Sequence, residues 1–313
     1  MSVQQTFDVP AALATSGILP SPPGVVIDIT RLVNDPDTTI EQLAAVVETD
    51  PVLTARMLGT VNSGLYALVR RIHSVPDAMV LLGFKAVRTL ALGVSVAGGL
   101  PDPSACPGFD LGHYWRHSLM TAVLSRDLAS HLKRAIADEA FTIGLIANIG
   151  RLVIATAVPA DYGKALAANP WPDSATERQH LGFDSPTVTA ALLHRWGLPD
   201  ELCHAAGHVH SPEQLPEYVN DQTRFATTIV AAASTAIEHL LHPTDAAPIE
   251  SIADTLATAL DLDAAVTHQT LDEAADHLGD LQHLIADSLP EGLHPNELID
   301  QAQRLLHHAA ETH

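Results

Sequence analysis

Between Phe141 and Ile154 the chain is almost wholly apolar, with Asn148 and Arg151 as its only strongly polar members. Burying such surface is worth roughly 25 cal/mol per Å², so this stretch has to sit in a core or a bilayer. The apolar character continues to Ala160, but Asn148, Arg151 and Pro159 interrupt it, so the expectation is a buried core helix and not a membrane span. Asp138 and Glu139 precede it and suit the positive end of a helix dipole. One helix is therefore expected from there to about Ala157. Its two polar side chains need partners, because an unsatisfied buried amide costs about 1–3 kcal/mol.

The rest of the chain follows helical periods. Val25, Val26, Ile29, Leu32 and Val33 recur at three and four. Thr38-x-x-Glu41 has the form of a capping box ahead of Ile40, Leu43, Ala44 and Val47, and Asp50-Pro51 opens a third helix through Met57 and Val61. A short helix is expected from Ser74-Val-Pro76-Asp77 and a fifth from Lys85 to Val96, before a proline-bearing loop over 98–108. A long helix over 109–132 carries His117, and the segment marked by Pro159, Pro170 and Pro172 is expected to be looser. Further helices are expected near 174–180, 186–196, 199–208, 218–242, 249–260, 264–289 and 295–310. There is no strand-like alternation and no repeat of 20–50 residues, which gives an all-α chain and excludes a solenoid. The loop over 98–108 and the closing Ser211-Pro-Glu-Gln-Leu-Pro216 divide it at 1–100, 101–215 and an acidic 216–313.

The 313 residues are 47% hydrophobic and 17% charged, enough apolar mass for a sizeable core; only 4% are aromatic, so aliphatic side chains and Ala must fill it. The net charge is −21, and after Asn220 the only Lys or Arg residues are Arg224 and Arg304. That surface repels phosphate backbones, so no nucleic-acid partner is expected. Cys106 and Cys203 form no disulfide framework or zinc pattern, and the first residues lack the basic start and apolar core of a signal peptide. The expectation is a cytoplasmic protein without a membrane partner.

A series of short motifs occurs in a recognisable order. Leu19-Pro-Ser-Pro-Pro23, Asn34-Asp-Pro36, Asp50-Pro-Val-Leu, Val61-Asn62-Ser63-Gly64-x-Tyr66, Ile72-x-Ser74-Val-x-x-Ala78 and Leu81-Leu-Gly83 come first. Trp115-Arg-His117-Ser, Ile149-Gly150-Arg-Leu, Gly182-Phe-Asp184 and Trp196-Gly-Leu-Pro199 follow. Over roughly residues 15–215 the chain resembles the HDOD family of bacterial signalling modules, a branch of the HD phosphohydrolase superfamily. The resemblance implies an all-helical fold of two subdomains, the second HD-like, followed here by a helical extension. It also implies a regulatory or interaction role near two-component and cyclic-di-GMP signalling proteins, with a kinase, a response regulator or a cyclic-di-GMP enzyme as the expected kind of partner.

An HD hydrolase holds its metal with a His, a His-Asp pair and a distal Asp, which activate water and neutralise phosphate charge. By the resemblance His117 takes the first place. Ala147 and Asn148 stand in the His-Asp places, and the distal Asp is expected within 229–234, where Ser234 is the last residue and no carboxylate occurs. Three of four ligands are missing, so no catalysis and no cofactor are expected. Asn148 hydrogen-bonded to His117 would satisfy both side chains. His204, His208 and His210 form a separate cluster with helical spacing that can bind metal adventitiously, and Arg70, Arg71, Lys85 and Arg88 could form a patch for an acidic partner or a phosphate. Asn62-Ser63-Gly64 reads as turn chemistry. Three functions stay open: a protein-binding signalling module, a sensor of a small molecule such as a cyclic dinucleotide at His117 and Asn148, and residual hydrolysis at a rebuilt histidine site.

Overall fold

The structure, a computed structural model, describes residues 24–33, 35, 37–49, 51–62, 64–66, 68–69, 72–83, 103–132, 135–196, 198–242, 252–281 and 294–311. All regular structure among them is helical. The first four helices are α1 (Gly24–Val33), α2 (Ile40–Glu48), α3 (Pro51–Val61) and α4 (Val75–Leu82). Leu43, Val47, Met57, Val61, Val75 and Ala78 are fully buried among them. The capping box is one residue later than expected. Thr39 caps α2 and pairs with Gln42, because the Thr38 hydroxyl is already used, donating to Leu32 O at the end of α1 at 2.7 Å. Asn62 is structural: its amide donates to Leu58 O and Ile72 O and accepts from Ile72 N, closing the loop after α3. The expected fifth helix lies outside the described residues.

The longest helices form the centre. α5 (Leu111–His131) is buried on nearly every side, and α6 (Ala137–Ile146) packs along it. Then follow α7 (Ile149–Ala157), α8 (Pro159–Ala168), α9 (Ser174–Leu181), α10 (Ser185–Arg195) and α11 (Asp200–Gly207). The segment expected to be loose after Pro159 is thus mostly helix. Pro159 sits in its first turn, where it loses no hydrogen bond, and Asp161 favours the N-terminal dipole.

The apolar helix expected as one piece is broken. Ala147 remains helical, but Asn148 takes φ −95° and ψ 7°, in the sparsely allowed bridge region. A threonine from another helix makes the break affordable: the Thr189 hydroxyl on α10 accepts from Gly150 N and donates to Ala147 O, both at 3.0 Å. Gly150 itself lies against α10, where an added Cβ would come within 2.1 Å of Ser185 O. Both halves are core, and 94% of the most apolar window over 137–157 is buried in the bundle.

The acidic C-terminal residues are woven into the same body. α12 (Asp221–Leu241) and α14 (Ala264–Gly279) both pack on α5, with α13 (Ile252–Leu260) and α15 (Pro295–Glu311) covering them. Leu271, Ala274 and Leu278 of α14 are fully buried. Histidines pair with the acids across these contacts. His131 meets Glu273 at 2.8 Å, His277 meets Asp127 at 2.9 Å, and His307 meets Asp272 at 2.7 Å. α14 ends at Gly279, with Asp280 and Leu281 in a turn, so the helix expected to reach 289 stops earlier, and 282–289 lie outside the described residues.

Candidate functional site

His117 lies in the middle of α5, fully buried, opposite the break between α6 and α7. Arg151 has only protons to offer, so its Nε fixes the Asn148 amide by donating to Oδ1 at 3.4 Å. The Asn148 NH₂ must then face the other way, and it lies 3.1 Å from His117 Nδ1. Nδ1 therefore accepts, and the proton of the neutral ring sits on Nε2. Burial holds the His117 pKa well below the usual imidazole value, and electrostatic repulsion of its protonated form by His113, His210, Arg151 and His242 adds to this.

Nε2 of His117 points at the Glu238 carboxyl on α12, 3.6 Å from its Oε2. That is beyond a hydrogen bond, and neither atom has a hydrogen-bond partner among the described residues. Burial raises the Glu238 pKa to about 7, although Arg151 pulls it the other way. Trp171 stacks on His117 with ring centres 4.9 Å apart, and the Arg151 guanidinium sits 4.1 Å above the indole.

Arg151 is a keystone in its own right. It donates to Pro172 O at 2.9 Å and to Glu177 at 3.3 Å, and Glu177, fully buried, accepts from Ser185 N and the Tyr162 hydroxyl. One guanidinium thereby ties α7 to α9, α10 and the Trp171 loop. Its charge is spent on these partners.

Above His117 opens a cavity of about 820 Å³, with Trp171, Arg151, Ser234 and Glu238 on one side and His204, His208 and His210 on the other. Ala147 lies behind Asn148 and contributes no donor atom. Of the places expected from the sequence, His117 and Ser234 thus line one pocket, and Asn148, which does not line it, is paired with His117 as the polar-satisfaction argument anticipated. Glu238 was not anticipated. It follows Ser234 by four residues on the same face of α12, a spacing visible in the sequence but outside the segment where an aspartate belongs.

The second histidine cluster is only loosely gathered. His204 Nε2 bonds to the Tyr218 hydroxyl, His208 Nδ1 bonds to His204 O at 2.8 Å, and the two rings lie 5.8 Å apart. His210 faces the cavity, where the surrounding walls and then Arg151 press its pKa down to about 4. Arg70, Arg71, Lys85 and Arg88 all lie outside the described residues.

The metal ion of an HD hydrolase does not fit these residues. Ala147 has no donor, Asn148 turns its NH₂ inward, Ser234 has replaced a carboxylate, and the Nε2 of His117 carries a proton where a metal needs a lone pair. Among the described residues no group of three or more His, Cys, Asp or Glu is placed to hold a metal.

Known proteins place the fold. A candidate phosphohydrolase from Shewanella amazonensis is 25% identical, with a TM-score of 0.65 over 87% of this chain and 98% of its own. A candidate signal transduction protein from Marinobacter aquaeolei is 26% identical, with a TM-score of 0.59 over 96% of this chain and 62% of its own. An HDOD domain protein of unknown function from Geobacter sulfurreducens shares the fold at 22% identity, with a TM-score of 0.62 over 90% of this chain and 98% of its own. In sequence, an uncharacterised Treponema pallidum protein is 22% identical over 203 residues, 64% of this chain but only 39% of that relative. The HDOD domain family model matches residues 19–212. The chain belongs to the HDOD domain family.

Proposed function

We propose that this chain is a non-catalytic signalling module that acts by contact with another protein, a kinase, response regulator or cyclic-di-GMP enzyme being the fitting class. The observation that carries the non-catalytic part is the Asn148 amide. Oriented by Arg151, it keeps the proton on His117 Nε2 and so converts a metal-ligand position into a hydrogen-bond donor. The regulatory part is supported by membership of the family and by likeness to a candidate signal transduction protein. A cytoplasmic setting agrees with the two free cysteines.

The test is hydrolysis of bis(p-nitrophenyl) phosphate and cyclic di-GMP by the full chain with manganese, nickel or magnesium. No turnover above buffer is expected. Turnover that is abolished by a chelator and by His117→Ala would overturn the reading. A second reading, small-molecule sensing, is favoured by the cavity: at about 820 Å³ it falls inside the ~300–1,000 Å³ range of ligand pockets.

A further inference from the structure

His117 is fully buried and Glu238 half-buried, with its Oε2 turned inward. His117 Nε2 and Glu238 Oε2 face the same cavity 3.6 Å apart, and among the described residues no protein group hydrogen-bonds either. Native proteins rarely leave such atoms unpaired, since each costs about 1–3 kcal/mol. A molecule in the cavity that paired with both would recover that cost on binding.

The chemistry of the walls restricts the molecule. A metal ion is disfavoured because Asn148 fixes the proton on Nε2. A polyanion is disfavoured because Asp173, Asp184, Glu213 and Glu238 line the cavity, while its two arginines are engaged, Arg151 by Glu177 and Arg178 by Asp184. What remains is a neutral group that offers an acceptor to Nε2–H and, beside it, a donor to the carboxyl. An amide or lactam edge does this, with its oxygen and nitrogen about 2.2 Å apart by ordinary bond lengths. Trp171, with His117 stacked on it and Arg151 over its ring, adds an aromatic edge to the cavity wall.

We propose that the cavity binds a neutral planar molecule carrying an amide-type edge, such as a nucleobase, nucleoside or nicotinamide, with His117 donating to its carbonyl and Glu238 accepting its N–H. This deepens the sensing reading and rests on the pocket being non-catalytic. Calorimetric titration of the full chain with nicotinamide, uridine, inosine and guanosine tests it, with cyclic di-GMP as the polyanionic control. Saturable binding of at least one neutral probe is expected, weakened about tenfold or more by Glu238→Ala, the weight of one hydrogen bond to a charged group. His117→Phe, which keeps an aromatic ring against Trp171 but has no donor, should weaken it similarly. The proposal is overturned if none of the four binds, if binding survives Glu238→Ala unchanged in a protein that still melts cooperatively, or if cyclic di-GMP binds more tightly than every neutral probe. Metal-dependent cleavage of a phosphodiester would instead defeat the underlying non-catalytic reading, so the two failures are distinguishable.

Discussion

Asn148 decides the chemistry of this pocket. It joins two buried groups that would otherwise conflict, the neutral His117 ring and the charged Arg151 guanidinium, and each end of its amide faces the partner it suits. Asn148→Ala removes both contacts at once, and we expect a loss of about 1–3 kcal/mol of stability, read from chemical denaturation midpoints. An unchanged midpoint would mean that the amide is incidental. The His117–Asn148 pair was legible in the sequence because a polar residue in an apolar run must find a partner. Glu238 was not, because the resemblance points to an aspartate within 229–234 and Glu238 lies one turn beyond Ser234. Arg151 was visible as the second polar residue, but its partner Glu177 sits 26 residues away in a helix with no apolar signal to mark its burial.

At the scale of elements, the broken core helix shows what periodicity leaves out. The residues over 141–154 have no helix breakers but Gly144, which stays helical, and Gly150, and the break depends on Thr189, a side chain brought by another helix. Thr189→Val keeps the shape and removes both hydrogen bonds. It should cost about 1–3 kcal/mol, whereas Val at the solvated Thr235 should cost little; equal effects on the melting temperature would contradict this account of the break. The docking of α14 on α5 makes a different prediction. The hydrogen bond to Asp127 raises the His277 pKa above its usual 6.5, although burial opposes it. A raised pKa gives stability that is fully present below pH 6.5 and is lost as pH rises through the folded value. His277→Gln should therefore lower the melting temperature more at pH 6 than at pH 8.5. A deficit that does not shrink with pH would show that the pair contributes only as a neutral contact.

At the scale of the molecule, the family match and the folded body have different limits. The match ends at residue 212, yet α12 supplies Ser234 and Glu238 to the pocket, and α12 and α14 cover the long helix that carries His117. Composition suggested an acidic appendage after 215, since outward-facing acids dominate the count; the inward face of α14 is apolar and its acids pair with histidines. A chain cut after residue 215 should lack a cooperative melt and expose apolar surface to a dye, while retention of the full chain's transition would show two independent units. The all-helical class followed from apolar spacing because helices are local, and the pocket did not because its walls come from six helices and the segments 169–173 and 208–214 between them.

If His117 serves as a hydrogen-bond donor and not as a metal ligand, as proposed, its proton sits on Nε2, and the position of that proton is the direct test. Nitrogen NMR of ¹⁵N-histidine-labelled protein, with the His117 signal assigned by its loss in His117→Phe, reports the tautomer directly. The account predicts a neutral ring protonated at Nε2 and unmoved by added zinc or magnesium. A ring protonated at Nδ1, whose Nε2 resonance shifts when metal is added, would contradict it.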